Sequence, residues 1–128
     1  MKIIHRLTVL FFLAAVLSGC TLELPAPISA SVERYAKGAP VQTWRLSDPQ
    51  LAALSEWFAQ HQSGWSPSYV SYVPNVEVTV QHAAGKQSYI NVWSTKRVVV
   101  NSGGRQVEQD FEASAVQSLL AVVEAHGG

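Results

Sequence analysis

The order of apolar and polar residues predicts strands in the middle of the chain. Residues 76–81 alternate Val-Glu-Val-Thr-Val-Gln, which is the period of two expected for a strand that buries one face. Residues 88–93 alternate in the same way, and Gly85 lies in the short turn between the two runs. The pattern predicts a central hairpin, with further strands at residues 28–35, 41–46, 95–101 and 105–108.

A capping box predicts the start of the first helix. Ser47 and Gln50 have the required spacing, so we expect a helix from Asp48 to about Gln62. Gly64 is expected to end it in the left-handed conformation that glycine adopts without steric cost. The apolar residues recur at steps of three and four and form one stripe, made of Leu51, Leu54, Trp57, Phe58 and His61.

A second amphipathic helix is predicted near the C-terminus. Asp110 can cap it, and Gly127-Gly128 can end it. Its apolar stripe consists of Val116, Leu119, Leu120 and Val123. Together with the strands, these helices predict a single α+β domain over residues 31–128, in which a small antiparallel sheet of about four to six strands carries two amphipathic helices.

The first twenty residues have the layout of an export signal. Lys2 and Arg6 precede an almost unbroken apolar run, residues 7–16, and Leu17-Ser18-Gly19-Cys20 follows it. A membrane-spanning helix needs roughly 20 apolar residues, and this run has only about half of that length. The pattern therefore predicts a segment that is cleaved rather than retained.

Leu17-Ser18-Gly19-Cys20 resembles the lipobox of bacterial lipoproteins, a resemblance confined to about the first twenty residues. It implies that residues 1–19 are a signal peptide, and that Cys20 receives a diacylglyceryl group and then an acyl chain, such as palmitate, on its new amine. Two or more chains would make membrane attachment stable. In Gram-negative members of this family, an aspartate directly after the cysteine favours retention in the inner membrane. Thr21 at that position implies the outer membrane, with the domain facing the periplasm.

The residues after Cys20 and the overall composition set further expectations. Residues 20–30 contain Pro25 and Pro27 and show no helical period, which predicts an extended tether of up to about 3.3 Å per residue. Cys20 is the only cysteine, so the chain has no internal disulfide. Nine Lys and Arg balance nine Asp and Glu, so no basic surface for nucleic acid is indicated.

Catalytic and metal-binding patterns are not indicated. His61, His82 and His126 stand apart from other ligand-type residues, so we expect neither a metal nor a cofactor. We expect His61 to be partly buried at the helix end, and His82 to be solvated at a strand end. Gln62-Ser63-Gly64 lacks the first glycine of a nucleophile elbow. A cleft that gathered His61 or His82 with a carboxylate would favour catalysis instead.

Aromatic residues near the end of the first helix are candidates for partner binding. Trp65, Tyr69 and Tyr72 lie among Ser, Gly and Pro, a mixture typical of recognition loops. The alternative is that Trp65 closes the core and the tyrosines lean on the sheet. The sequence thus favours a non-catalytic envelope lipoprotein that binds protein or cell-wall material. An inhibitor or immunity lipoprotein against a periplasmic hydrolase or toxin is the second hypothesis, and an enzyme the third.

We expect the mature protein to begin at Cys20 and to carry acyl chains there, since the lipobox resemblance implies both. Intact-mass spectrometry after expression with a fatty-acid analogue measures both properties. Cys20→Ser should abolish labelling and leave the uncut precursor. An unmodified Cys20, or a mature chain that starts elsewhere, contradicts the prediction.

Overall fold

Seven antiparallel strands form one sheet in the computed structural model, which describes residues 20–125. The spatial order is β2-β1-β4-β5-β6-β7-β3. In chain order the elements are β1 (Ser29–Ala36), β2 (Ala39–Arg45), α1 (Asp48–Ala59), β3 (Ser66–Pro67), β4 (Val76–Gln81), β5 (Gln87–Val92), β6 (Arg97–Ser102), β7 (Arg105–Asp110) and α2 (Ala113–Val122).

The single α+β domain is confirmed, but the sheet has more strands than the four to six predicted. The strand that the sequence did not indicate is β3, which pairs with Val107 and Glu108 of β7. Two residues are too few to show an alternating pattern, and one of them is Pro67, which argues against a strand.

One face of the sheet forms the core. Every second residue of the central strands points to this face, and its valines and isoleucine are buried. The central row pairs in succession across β1, β4, β5, β6 and β7 and consists of Val32, Val78, Ile90, Val100 and Val107. The helices pack on this face, because their apolar stripes join the same cluster of buried side chains.

The first helix begins as the capping box predicts. The Ser47 hydroxyl accepts a hydrogen bond from the Gln50 amide at 3.3 Å, and the Gln50 side-chain oxygen accepts one from the Ser47 amide at 2.9 Å. The helix ends at Ala59, slightly before the predicted Gln62. Gly64 has a φ of +87°, and a Cβ there would lie 2.8 Å from the side-chain nitrogen of Gln109, so this glycine permits a close approach of two segments.

The two helices run antiparallel and are joined by side chains that satisfy backbone carbonyls. The Gln50 amide group donates to the carbonyls of Val122 and Glu124, at 3.1 and 2.8 Å. The Trp57 indole donates to the Ala115 carbonyl at 3.2 Å. Since the last carbonyls of a helix have no partner within it, the buried Gln50 caps the C-terminus of α2.

The start of the second helix differs from the prediction. Asp110 is the last residue of β7 and binds Arg97, whereas the N-cap is Glu112, whose side chain makes no capping hydrogen bond. The predicted stripe is confirmed, with Val116 and Leu119 fully buried. The helix ends at Val122, with Val123 as its C-cap, so it stops before the predicted end at residues 127 and 128. Those two residues and His126 lie outside the described residues.

The outer strand β2 is irregular. It forms a hairpin with β1 through Lys37 and Gly38, which both have positive φ, at 53° and 78°. The register shifts between Arg34 and Tyr35 of β1, which leaves Val41 of β2 without a ladder partner. This bulge interrupts the edge of the sheet.

The segment predicted to be a tether is packed against the domain instead. The Leu22 amide donates to the Gln62 carbonyl and the Ile28 amide to the Gln81 carbonyl, both at 2.7 Å. Leu22 is only 9% exposed and belongs to the core. Pro25 and Pro27 prevent helix here, as predicted, but extended backbone can lie along a surface as readily as it can span a gap.

We expect Leu22→Ala to lower the free energy of unfolding by about 2 kcal/mol or more, because it leaves a cavity in the core. The measurement is urea denaturation of residues 20–128 carrying Cys20→Ser. Thr21→Ala, at an exposed neighbouring position, is the matched control and should change stability by no more than about 0.5 kcal/mol. Equal stabilities of the two variants would contradict the burial of Leu22 and support the extended tether that the sequence predicts.

Candidate functional site

The proposed lipid-bearing residue is hydrogen-bonded to the domain at an anchor junction, made of Cys20, Leu22, Gln62 and Trp65. The Cys20 amide donates to the Trp65 carbonyl at 3.0 Å, and the Trp65 amide donates to the Cys20 carbonyl at 3.2 Å. Cys20 is half-buried. An N-acylated Cys20 would keep one N–H, so acylation is compatible with this bridge. No residue separates Cys20 from the fold.

Trp65, one of the three predicted partner-binding residues, is a core residue. Its side chain is 1% exposed, and its indole donates to the His61 carbonyl at 2.7 Å. Its ring stacks on Phe58, with centroids 6.2 Å apart, and meets Phe111 edge-on at 5.6 Å. Trp65 therefore closes the core over the end of α1 and presents no surface to a partner.

The two described histidines have structural partners. The His61 ring stacks on Trp57 at 4.0 Å between centroids, and its Nδ1 lies 2.6 Å from the Trp57 carbonyl oxygen. It is half-buried at the helix end, as predicted.

The prediction for His82 is wrong, since this residue is only 5% exposed. Its Nδ1 lies 3.2 Å from the Ala26 carbonyl, its Nε2 lies 2.7 Å from the Ser88 hydroxyl, and that hydroxyl lies 2.7 Å from the one of Ser102. If Nδ1 carries the proton, it donates to Ala26 and Nε2 accepts from Ser88. Ser88 is fully buried, so this arrangement connects the N-terminal segment to the sheet and gives a substrate no access to the serine.

The second face of the sheet is partly covered by a strap, residues 68–75, which connects β3 at one edge to β4 in the middle. The Ser68 amide donates to the Gln106 carbonyl at 2.8 Å, and the Gln106 side chain donates to the Val70 carbonyl at 2.7 Å. At its other end, the Asn75 amide donates to the Val92 carbonyl at 3.0 Å. The strap thus crosses β7, β6 and β5, which explains why Val99 is buried on the face away from the helices.

Arg97 holds the middle of the strap in place. It binds the Asp110 carboxylate through Nε and Nη2, at 2.7 and 3.0 Å, and Nη1 donates to the Tyr72 hydroxyl at 3.3 Å. The Tyr72 hydroxyl lies 3.2 Å from both Glu108 carboxylate oxygens. The guanidinium also lies over the rings of Tyr72 and Trp93, at 6.0 and 5.7 Å. Tyr72 is therefore fixed by hydrogen bonds and by stacked charge.

These contacts shift the pKa values of the ion pair. The hydrogen bond from Arg97 lowers the pKa of Asp110, and the bonds to Asp110 and Tyr72 raise the pKa of Arg97. A second cluster of acidic residues lies on β1 and β4 and includes Glu33 and Glu77. The hydrogen bond that the Tyr35 hydroxyl donates to Glu33 raises the pKa of Tyr35 to about 12. Burial, followed by the charge of Glu33, raises the pKa of Glu77.

Exposed apolar side chains are concentrated on and beside the strap. We define the aromatic surface as Tyr69, Val70 and Val73 of the strap with Tyr89 and Trp93 of the adjoining sheet face. Tyr69 is 92% exposed and Trp93 40%. The structure thus separates the three predicted binding residues: Trp65 is buried, the Tyr72 side chain is held against the sheet by Arg97 and Glu108, and Tyr69 is exposed. The alternation of residues 88–93 predicts that Trp93 lies on this face. Val70 and Val73 lie in irregular backbone, so no sequence pattern predicts their exposure.

A separate cleft of about 410 Å³ lies between α2 and the β1–β2 hairpin. Trp44, Val76 and Leu120 line it, together with Arg34 and Glu124. The Arg34 guanidinium lies 5.5 Å from the centroid of the Trp44 ring. The lining includes neither His61 nor His82, so this cleft does not gather a histidine with a carboxylate.

Within residues 20–125, no three His, Cys, Asp or Glu side chains come together in a group that could hold a metal ion. Over the same residues, neither helix is long and apolar enough to cross a membrane. Comparison with protein families, with curated proteins and with solved structures found no match to this chain.

We expect acid to loosen the strap. Because Arg97 lowers the pKa of Asp110 below its ordinary value of 3.8, the pair stabilises the strap above that pH, and the stabilisation disappears as the pH falls through the lowered value. Hydrogen-exchange protection of residues 68–75 should therefore decrease below about pH 4. Asp110→Asn is the control, and its strap should be less protected at pH 7 already. Equal protection of both proteins at pH 7 contradicts the role of this pair.

Proposed function

We propose that this protein is a membrane-anchored bacterial lipoprotein, a non-catalytic component or accessory of the cell envelope that binds protein or cell-wall material. Its anchor is the lipid on Cys20, and its site is the outer membrane, with the domain facing the periplasm. The aromatic surface carries the proposal. Of the large apolar side chains that are exposed in the described residues, only Ile28 and Val41 lie outside it.

The physical argument is that such a surface is stabilised by being covered. Scattered apolar residues are normal on proteins, whereas several on one face mark an interaction site. Arg97 and Glu108 hold the strap before any partner arrives, so binding would cost little conformational entropy. Aromatic rings with few rotatable bonds, such as Trp93, supply contact area for protein and a stacking plane for sugars.

The alternative is an inhibitor or immunity lipoprotein that blocks a periplasmic hydrolase or toxin. The position of Tyr69 favours it. This side chain is almost fully exposed, while the residues beside it are tied to β7 through Ser68 and Gln106. A rigid, projecting tyrosine of this kind is suited to enter the cleft of another protein.

Site-specific crosslinking tests the proposal. We expect a photoreactive phenylalanine in place of Trp93 to form specific products in intact envelopes, either with one protein or with peptidoglycan fragments. The same amino acid in place of Val41, which is 62% exposed on the opposite part of the sheet, is the matched control. Identical products from both positions, or none from position 93, contradict partner binding through the aromatic surface.

The alternative requires a different readout. An inhibitor would reduce the activity of its crosslinked partner when the purified domain is added, and Tyr69→Ala would reverse that effect without lowering stability. A partner whose activity is unchanged by the domain would favour the accessory role.

A further inference from the structure

The anchor junction fixes which side of the domain meets the membrane. Because the Cys20 backbone is bonded to Trp65, and Leu22 to Gln62, the lipid would leave the protein directly at its surface. Residues 20–30 as a free tether would allow any orientation over roughly 30 Å. The observed packing removes that freedom.

The residues around the junction form one edge of the sheet. Trp65 leads directly into β3, the last strand in the spatial order, and Ser68 continues the contact with β7. Tyr69 follows four residues after Trp65, which is at most about 14 Å along an extended chain. Tyr69 and the lipid attachment point therefore lie at the same end of the molecule.

This edge suits a phospholipid headgroup layer, because its own residues carry no charge and the charged side chains beside it are paired: Arg97, which shares a recess with Gly64, Ser66 and Pro67, binds Glu108 and Asp110. From residue 57 to residue 76 the chain contains no Asp, Glu, Lys or Arg, although it has nine basic and nine acidic residues in all. Uncharged Ser, Gln, Gly and Pro neither repel anionic phosphates nor require a charge to lose its hydration. Tyrosine is enriched at membrane–water interfaces, because its ring is apolar and its hydroxyl is polar.

We propose that the β3 edge, residues 62–69, rests on the membrane that holds the lipid of Cys20, with Tyr69 in the headgroup layer. This inference rests on the lipid anchor of the proposed function. It assigns Tyr69, at the β3 end of the aromatic surface, to lipid, and leaves the rest of that surface to the proposed partner. Tyr89, Trp93 and the cleft beside Trp44 then face sideways or away from the membrane. The opposite edge, β2, lies roughly 25–30 Å farther out, since six inter-strand steps of about 4.8 Å separate the two edges.

Fluorescence quenching in vesicles tests the orientation. The full lipidated protein is inserted into phosphatidylethanolamine–phosphatidylglycerol vesicles that contain brominated phospholipid, with a polarity-sensitive dye on Tyr69→Cys or on Val41→Cys. The thioether at Cys20 leaves a single free thiol in each variant, and both positions are exposed, so neither change threatens folding. We expect at least about threefold stronger quenching at position 69, because position 41 lies tens of ångströms from the brominated chains.

A spacer variant shows whether the anchor junction causes the difference. About twelve Gly and Ser residues inserted between Cys20 and Thr21 span roughly 20 Å and leave the domain free to turn. The last inserted residue can take over the backbone bridge to Trp65, so the fold is kept. The quenching ratio should then fall to about one.

Equal quenching at positions 69 and 41 in protein whose lipid is verified by mass spectrometry would overturn the orientation and leave the anchor intact. A dye at position 69 that avoids lipid while the same position crosslinks to a protein would assign Tyr69 to that protein instead. A mature chain without lipid would overturn the anchor, and the orientation with it.

Discussion

The packing of Trp65 connects the hydrophobic core to the N-terminal segment. Its ring fills the core between Phe58 and Phe111, and its backbone forms the bridge to Cys20. The position of the N-terminal segment therefore depends on the same residue that closes the core over α1. Loss of the ring would leave a large cavity, and it would also disturb the bridge between Trp65 and Cys20.

The two faces of the sheet are covered to different extents. Two helices and the N-terminal segment cover one face, where a row of valines with Ile90 needs burial. Among the residues that the structure describes, the strap covers the other face; it buries Val99 and leaves Tyr89 and Trp93 partly exposed. A single loop cannot bury a seven-stranded face, and the strap makes few apolar contacts. Charge-assisted bonds among Arg97, Glu108 and Asp110 hold the strap in place instead.

The sequence predicted those elements that depend on contacts between residues close together in the chain. Ser47 and Gln50 mark the start of α1 because a capping box needs only four residues, and the valines of β4 mark a strand because each alternates with a polar neighbour. The sheet class followed from these elements. The capping role expected for Asp110 failed because a residue on another strand, Arg97, competes for its carboxylate.

The remaining differences arise from contacts between residues distant in the chain. His82 is buried because residues near Ala26 lie over it, and nothing near position 82 indicates that cover. The Leu22 amide binds the Gln62 carbonyl, forty residues away, and the Leu22 side chain joins the core cluster. For the candidate binding residues, the aromatic composition indicated the loop that carries part of the aromatic surface. It could not distinguish Trp65, which turns inward, from Tyr69, which turns outward, because both lie in irregular backbone.

The interrupted edge strand has a consequence for behaviour at high density. Molecules confined to a membrane meet far more often than the same number in solution, and two exposed sheet edges that meet can join into a growing ribbon. Here one edge is closed by β3, which is only two residues long and includes Pro67, and the other is bent by the bulge at Val41. Neither edge offers a long, straight row of free amides and carbonyls, so the sheet is protected against edge-to-edge self-association, which the proposed lipid anchor would otherwise promote by crowding the molecules in two dimensions.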